Sequence, residues 1–381
     1  MGVCRICGSR GTVVSSAVGV CSSCLRNRRE ALEIAMDLHR RYRSGLELPL
    51  QPPRGGGTRC TLCVNECDIG SGGVGYCGLW TNRGGRLEIL EGFNRGILYA
   101  YLDPLPTNCV ATPVCPAARG CRNPMYSVSS GGPEYGYYNL AVFFAGCNLD
   151  CIFCQNWDHK NIVVSPRLRR RYAVTDVELV KRAAEDDRIT CVCYFGGDPG
   201  PHIVYALRVS RLIAEESRRR GVVKRICWET NGLENPSIVR EMARVSLETG
   251  GIVKIDWKAF TPEVYQALTG VDGWRAVERV QKNISIVAEM SLGRREVPLL
   301  TVSILLVPGY VDEVELRGMA EYIASVDREI PVVLLAFHPD HLLRDLPPTS
   351  ANHAGKAIEI FRSCGVERVF LGNEWLLGPY Y

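Results

Sequence analysis

Three closely spaced cysteines are the residues of this 381-residue chain that are best suited to chemistry. Cys147, Cys151 and Cys154 have the spacing C-x3-C-x2-C and directly follow the apolar run at residues 140–145. Three thiolates on one tight loop can hold three corners of an iron–sulfur cube, and no fourth cysteine follows locally. The open iron of such a site can bind and reduce a substrate or cofactor. A structural zinc site and scattered core thiols are the alternatives.

Polar residues and glycines also follow the apolar runs downstream of this loop. The candidates are Gly196, Gly197, Asp198, Glu229, Asn231, Asp256, Lys258 and His338. Alternation along a strand places Asp256 and Lys258 on the same face. In an α/β barrel the carboxyl ends of the strands carry the chemistry, which is where all these residues are expected. The alternatives are tight turns for the glycines and Asn231, a structural ion pair for Asp256 and Lys258, and a surface position for His338.

The elements that must position these residues alternate between strands and helices from residue 138 onward. Apolar runs that predict strands occupy residues 140–145, 191–195, 225–228, 252–257, 299–306 and 332–337. Helical patterns occupy residues 176–185, 201–220, 236–249, 274–290, 311–325 and 351–364. Thr175 and Asp312 are predicted helix N-caps. Six strand–helix units with continuous apolar strands favour an open, partial (β/α)6 barrel, with a doubly wound sheet as the competing architecture.

The first four cysteines have the spacing of a zinc ribbon. Cys4, Cys7, Cys21 and Cys24 form C-x2-C-x13-C-x2-C, which predicts tetrahedral zinc, with an iron site as the alternative. An amphipathic helix is predicted over residues 27–43. Arginines flank this module, and we expect a solvated face, with an RNA or protein contact as the alternative. They are Arg26, Arg28, Arg29, Arg40, Arg41 and Arg43.

Further cysteines lie between this module and the predicted barrel. Cys60, Cys63, Cys67 and Cys77 form C-x2-C-x3-C-x9-C, a pattern compatible with zinc, mononuclear iron or an auxiliary iron–sulfur cluster. A third set lacks an obvious fourth ligand and is compatible with a site without metal. That set is Cys109, Cys115 and Cys121. Buried thiols that act as small hydrophobic side chains are expected at Cys191, Cys193, Cys227 and Cys364.

Composition restricts the class of protein. Apolar residues are 46% and charged residues 23% of the chain, so wholesale disorder is excluded. A balance of 45 basic to 41 acidic residues does not indicate a general nucleic-acid binder. No run of 18 apolar residues predicts a membrane span, and the N-terminus lacks the pattern of a signal peptide, so a cytoplasmic location is expected. In that setting 18 cysteines indicate metal rather than disulfides.

The segment at residues 145–157, AGCNLDCIFCQNW, resembles the signature of radical S-adenosylmethionine (SAM) enzymes. It is similar to the branch that contains pyruvate formate-lyase activating enzyme, and closer to an archaeal and bacterial group in which a segment like Cys60 to Cys77 precedes the core. The resemblance covers residues 59–381. It implies a 4Fe–4S cluster on Cys147, Cys151 and Cys154 and SAM bound to the fourth iron. Reductive cleavage would then give methionine and a 5′-deoxyadenosyl radical.

The same resemblance implies roles for the other candidates. Gly196, Gly197 and Asp198 are similar to a Gly-Gly-Glu-Pro motif whose backbone receives the amino group of SAM, with Asp in place of Glu. Glu229 and Asn231 match a pattern that faces ribose and methionine. Asp256 and Lys258 match a pair that binds an amino acid. The loop at residues 307–310 and His338 are expected near the cofactor or substrate.

The sequence therefore predicts a radical SAM oxidoreductase in three parts. They are a zinc-ribbon-like module at residues 1–45, a Cys-rich insertion at 58–130 and a partial barrel at 135–381. Its expected substrate is a protein, such as a glycyl radical partner, and its electrons come from an external low-potential donor. Modification of RNA or of a small metabolite is the second possibility. The rival classes are a non-catalytic iron–sulfur electron carrier and a zinc-ribbon RNA adaptor.

Overall fold

The computed structural model describes residues 2–10, 13–294 and 296–381 of the chain. The strands are β1 (Thr58–Arg59), β2 (Asp68–Ile69), β3 (Trp80–Arg83), β4 (Arg86–Ile89), β5 (Arg95–Pro104), β6 (Tyr138–Phe144), β7 (Ala173–Thr175), β8 (Ile189–Gly196), β9 (Arg225–Thr230), β10 (Val253–Asp256), β11 (Leu300–Leu306), β12 (Val332–Ala336) and β13 (Val369–Gly372). The helices are α1 (Ser22–Asn27), α2 (Arg29–Gly45), α3 (Pro116–Arg119), α4 (His159–Val164), α5 (Pro166–Arg171), α6 (Asp176–Glu185), α7 (Ile203–Arg220), α8 (Pro236–Thr249), α9 (Pro262–Thr269), α10 (Gly273–Ser291), α11 (Glu313–Val326) and α12 (Ala351–Ser363).

The central sheet is parallel, and its strands are ordered as in the sequence. Strands β6, β8, β9, β10, β11, β12 and β13 lie side by side, and each pairs in parallel with the next. Because the order never reverses, right-handed crossovers place the connecting helices on one face of the sheet. A doubly wound sheet requires a reversal of the order, so that architecture is excluded. The other face is left free to line an interior, as in a partial barrel.

Six of these parallel strands correspond to the predicted apolar runs. Three further strands of the sheet were not predicted to belong to it. The antiparallel β5 extends the sheet beside β6, β7 pairs with β5, and β13 adds a seventh parallel strand. Both predicted N-caps are present. Thr175 forms a capping box with Glu178, and Asp312 accepts a hydrogen bond from the backbone N–H of Val314 at 3.1 Å.

The N-terminal module packs directly on the barrel. Ser15 Oγ donates to Asp345 Oδ1 at 2.9 Å, and Ser16 N donates to Asp345 Oδ2 at 2.6 Å. Tyr310 Oη donates to the carbonyl of Val20 at 3.0 Å. Buried residues from Cys4 to Val369 form one continuous apolar core. The predicted boundaries at 1–45, 58–130 and 135–381 stay a prediction about folding units.

Two of the flanking arginines contradict the expectation of a solvated face. Arg26 forms ion pairs with Asp312 at 2.7 Å and with Glu315 at 3.0 Å. Arg43 is 1% exposed and donates to the carbonyl of Tyr76 at 2.7 Å. These guanidinium groups attach the module to the rest of the chain, because buried partners there would otherwise lack a donor. Within the described residues, no helix combines the length and apolar character needed to cross a membrane.

Candidate functional site

The carboxyl ends of β6, β8, β9 and β10 and the cysteine loop enclose one cavity of about 190 Å³. All the residues predicted from the core motifs line it, except His338 and the loop at 307–310. They are Cys147, Cys151, Cys154, Gly196, Gly197, Asp198, Glu229, Asn231, Asp256 and Lys258. The strand register brings Phe144 beside Gly196, so the loop after β6 begins next to the glycine turn after β8. The structure thus assembles at one edge of the sheet residues that lie up to 111 positions apart in the sequence.

The three thiols of the loop have different surroundings within this cavity. The backbone N–H of Leu149 donates to Cys147 Sγ at 3.3 Å, and Asn231 Nδ2 donates to the same sulfur at 3.8 Å. Burial raises the pKa of Cys151 to about 12 and also raises that of Cys147 well above its ordinary value. A metal that binds these groups must therefore displace protons from neutral thiols.

Asp256 and Lys258 form an ion pair inside the cavity. Burial acts to lower the pKa of Lys258, but the charge of Asp256 and the hydrogen bond to it outweigh burial and hold the pKa above its ordinary value. Lys258 Nζ also lies 5.5 Å from the centre of the Phe153 ring, so the pair is adjacent to the cysteine loop. Asp256 Oδ1 is buried and has no hydrogen-bond partner among the described residues. A buried acceptor of this kind fits the ammonium group of an amino acid ligand.

Both carboxylate oxygens of Asp198 accept hydrogen bonds from other residues of the chain. Its Oδ1 accepts from the N–H of Gly200 at 2.7 Å, and its Oδ2 accepts from the N–H of Asn231 at 2.9 Å and lies 3.1 Å from Thr230 Oγ1. The carboxylate therefore ties the turn after β8 to the turn after β9. Asn231 Nδ2 in turn donates to Asn148 Oδ1 at 2.6 Å, which extends the network to the cysteine loop. A role of Asp198 in cofactor binding stays a prediction.

The glycine turn after β8 permits close packing of backbone. Gly196 has a φ of 114°, a conformation that favours glycine. A Cβ atom at Gly197 would lie 2.2 Å from the carbonyl oxygen of Gly146. These two positions allow the chain after β8 to lie against the start of the cysteine loop, and they expose backbone to the cavity.

Two other predicted positions lie elsewhere. His338 is exposed and is not among the described residues that line the cavity. In the loop at 307–310, Gly309 packs against the carbonyl oxygen of Val13, and Tyr310 donates to Val20. This loop supports the N-terminal module, and the close approach of the two backbones explains its glycine.

A buried charge network around Asp150 was not predicted. Asp150 lies between two of the loop cysteines and pairs with Lys160, with His39 at 2.8 Å and with Arg43 at 3.5 Å. Burial acts to raise the pKa of Asp150, but the charges of Lys160, His39 and Arg43 hold it well below its ordinary value. Lys160 also lines the cavity. The sequence signal for this network was an ionisable residue between two of the predicted cluster ligands.

The N-terminal cysteines converge as a metal site requires. The sulfur atoms of Cys4, Cys7, Cys21 and Cys24 all lie within 4.8 Å of one another. Tetrahedral zinc with bonds of about 2.3 Å would bring such sulfurs to about 3.8 Å, so a small adjustment closes the site. The structure therefore fits the predicted metal site, and zinc is the metal that we propose for it.

The second cysteine set lines one common space. A narrow cavity between the insertion and the cysteine loop is lined by Cys60, Cys63, Cys67 and Cys77. The N–H of Tyr76 donates to Cys67 Sγ at 3.4 Å, and burial raises the pKa of all four thiols. Four thiols around one space, two of them buried and two half-buried, are compatible with a metal site, and its zinc or iron content stays a prediction.

Comparison with known proteins relates the barrel to one superfamily. Residues 141–323 match the model of the radical SAM superfamily. An uncharacterized protein of Methanocaldococcus jannaschii, MJ0808, is 25% identical over 319 residues, which are 83% of this chain and 81% of that protein.

Two solved structures are also similar to the chain. A domain of pyruvate-formate lyase-activating enzyme from Bacteroides vulgatus is 23% identical and has a TM-score of 0.37, and the match covers 48% of this chain and 98% of that domain. Streptococcus suis SuiB bound to S-adenosylmethionine is 11% identical and has a TM-score of 0.39, and the match covers 59% of this chain and 47% of that protein.

Proposed function

Because residues 141–323 belong to the radical SAM superfamily, we propose that this chain is an enzyme that holds a 4Fe–4S cluster on Cys147, Cys151 and Cys154 and cleaves SAM reductively. The observation that supports this most strongly is the shared cavity. Three thiols of one loop, the glycine turn and the Asp256–Lys258 pair all line it. Three thiols leave one corner of a cube for a cofactor, whereas an electron carrier closes every corner with protein ligands.

Held by Cys147, Cys151 and Cys154, the cluster would supply the one-electron reduction that cleaves SAM to methionine and a 5′-deoxyadenosyl radical, the species that would abstract hydrogen from a substrate. The protein binds and orients the cofactor and keeps other hydrogen donors away. We assign one N–H of the methionyl amino group to the unpaired Asp256 Oδ1 and the other to the backbone at Gly196 and Gly197, and we assign the methionyl carboxylate to Lys258 Nζ. The exposed backbone at Gly196 and Gly197 would accept further contacts from the cofactor.

We further propose that the substrate is a protein, as for the activating enzymes that the cysteine loop resembles, and that an external low-potential donor supplies the electron. RNA and small metabolites are the competing substrate classes, because a shared fold does not transfer a substrate.

The first test is production of 5′-deoxyadenosine. The anaerobically reconstituted chain is reduced with dithionite in the presence of SAM, and the product is quantified by chromatography and mass spectrometry. We expect turnover that Cys151→Ala abolishes. Lys258→Met should keep the iron content but raise the SAM concentration needed for half-maximal rate. Turnover no greater than that of Cys151→Ala would overturn the proposal and favour an electron carrier.

The substrate class is tested by the source of the abstracted hydrogen. Cells grown in deuterated medium supply separate protein, RNA and small-molecule fractions, each of which is added to the reaction. Deuterium in 5′-deoxyadenosine only from the protein fraction is the expected result. Deuterium from the RNA or the small-molecule fraction would instead assign the substrate to that class.

A further inference from the structure

A second cavity, of about 150 Å³, lies next to the cofactor cavity and is lined by five cysteines. Cys109 and Cys115 come from the insertion, Cys191 and Cys193 from β8, and Cys227 from β9. The two cavities share Phe195 and Glu229 in their linings. From the sequence alone, Cys109 and Cys115 were assigned to an incomplete metal set, and the three strand cysteines were expected to be core thiols. The fold brings both groups together.

Strand geometry explains why these thiols converge. Cys191 and Cys193 are two residues apart on β8 and therefore project from the same face. Cys193 and Cys227 are register partners on neighbouring parallel strands, and Cys191 Sγ lies 3.7 Å from Cys227 Sγ. Cys109 and Cys115 approach from the segment after β5 and close the cavity.

A buried cation completes the group. Lys254 is 1% exposed, and its Nζ donates to Cys193 Sγ at 2.9 Å and to Cys109 Sγ at 3.2 Å. It also pairs with Glu229 at 3.3 Å. The N–H of Ala111 donates to Cys109 Sγ at 3.4 Å. Hydrogen bonds to sulfur and compensating charge are what proteins use to stabilise and tune an iron–sulfur cluster. A core of thiols packed as small apolar groups requires no ammonium group among them.

The space between the thiols favours a cluster over a single ion. Sulfurs that share one zinc ion lie about 3.8 Å apart, and the N-terminal four are nearly that close. Among the described residues, no three of the five cavity thiols form such a compact group. The cavity is also several times larger than the ~30 Å³ that one water molecule occupies in the liquid. Thiols that surround a space of this size fit a polynuclear group.

We propose that this cavity binds a second iron–sulfur cluster, ligated by four of the thiols of Cys109, Cys115, Cys191, Cys193 and Cys227. The thiols release their protons as the cluster binds, and Lys254 offsets part of the resulting negative charge. The cluster would lie across Phe195 and Glu229 from the cofactor cavity. This proposal does not depend on the proposed function, because the site uses none of the three cysteines of the loop.

The test measures iron and acid-labile sulfide in a background that lacks the loop cluster. The full-length variant with Cys147→Ala, Cys151→Ala and Cys154→Ala is reconstituted anaerobically. Adding Cys193→Ser and Cys227→Ser should remove about two to four irons per chain, the content of a [2Fe–2S] or [4Fe–4S] cluster. Cys364→Ser changes a thiol outside the cavity and should remove none. The proposal would be overturned if the triple-alanine protein and both of its further variants held equal iron. It would also be overturned if the Cys193→Ser and Cys227→Ser changes removed zinc but no acid-labile sulfide.

A second variant keeps every thiol of the cavity, so it tests the proposal even if the cysteine variants fail to fold. Lys254→Met should retain the iron but shift the midpoint potential of one cluster to a more negative value, because a positive charge and two donors to sulfur are removed. The potential is followed by electron paramagnetic resonance during a redox titration in the same triple-alanine background. If Lys254→Met leaves every cluster signal at its original potential, no cluster lies in this cavity.

Discussion

His39 Nδ1 lies 2.8 Å from Asp150 Oδ2, and this contact joins the N-terminal helix α2 to the loop that carries the three core cysteines. The Nε2 atom of the same ring lies 3.0 Å from the carbonyl oxygen of Ala267. Both ring nitrogens therefore face acceptors in a fully buried position. The N-terminal module thus supplies a partner for a buried charge on the cysteine loop of the candidate active site.

Replacement of His39 should weaken this loop. We expect His39→Ala to lower the free energy of unfolding by about 1–3 kcal/mol, because a buried carboxylate loses one of its partners. Loop iron should also be retained less well after gel filtration. Arg41→Ala is the matched control, since Arg41 is exposed and pairs with the exposed Asp37 on the same helix, at 3.2 Å. This change should alter stability by less than about 0.5 kcal/mol. Equal iron retention in the two variants would contradict the expectation.

The sequence predicted the six barrel strands and most of the candidate site, because both depend on local patterns. Apolar runs identify buried strands, and residues such as Asp256 and Lys258 stand directly at their ends. The contact between His39 and Asp150 could not be predicted, because it joins residues 111 positions apart. Asp150 lies inside the cysteine motif, but nothing in the sequence marks His39 as its partner.

The five-cysteine cavity shows a different limit. Cys191 and Cys193 carried a usable signal, since alternation places both thiols on one face of a strand. Their meeting with Cys109 depends on the path of an irregular segment after β5, and no periodic pattern encodes that path. The prediction that Arg26 and Arg43 face solvent was wrong for a related reason. A basic helix has the same composition whether its arginines face solvent or hydrogen-bond acceptors.

Gly197 should be sensitive even to a methyl group. In Gly197→Ala the new Cβ would meet the carbonyl oxygen of Gly146 at 2.2 Å, so backbone must move between the glycine turn and the cysteine loop. We expect a loss of SAM cleavage that exceeds the loss of thermal stability. Gly355→Ala is the control, because this helical position has open space around it and alanine should stabilise the helix by up to about 1 kcal/mol. SAM cleavage equal to wild type in Gly197→Ala would contradict the expectation.

Metal in the N-terminal module should be required for its folding. We expect one zinc ion per chain at Cys4, Cys7, Cys21 and Cys24, and Cys4→Ser should release it and lower the apparent melting temperature. Zinc is measured by elemental analysis of full-length protein, with Cys364→Ser as the control thiol. Zinc content that is unchanged in Cys4→Ser would exclude this assignment.

Acid should destabilise the fold through His202. Its Nε2 donates to the carbonyl of Ala145 at 3.0 Å, and burial lowers its pKa to about 4. Because this residue binds an extra proton in the unfolded chain between about pH 4 and 6.5, its contribution to stability should be constant above about pH 6.5. That contribution should fall by roughly 3 kcal/mol as the pH decreases across the window. His202→Gln keeps a donor but cannot titrate, so its apparent melting temperature should depend less on pH. Identical slopes for the two proteins would refute this origin.

The hydrogen bond from Ser15 to Asp345 has a consequence for synthesis, since it joins residues 330 positions apart. The first cysteines leave the ribosome long before the segment against which they pack has been made. At about 5–20 residues per second, that interval is at least on the order of fifteen seconds. A metal ion bound by the nascent chain would keep those residues ordered until the segment around Asp345 has been synthesised. The supply of metal during translation should therefore influence the yield of correctly docked protein.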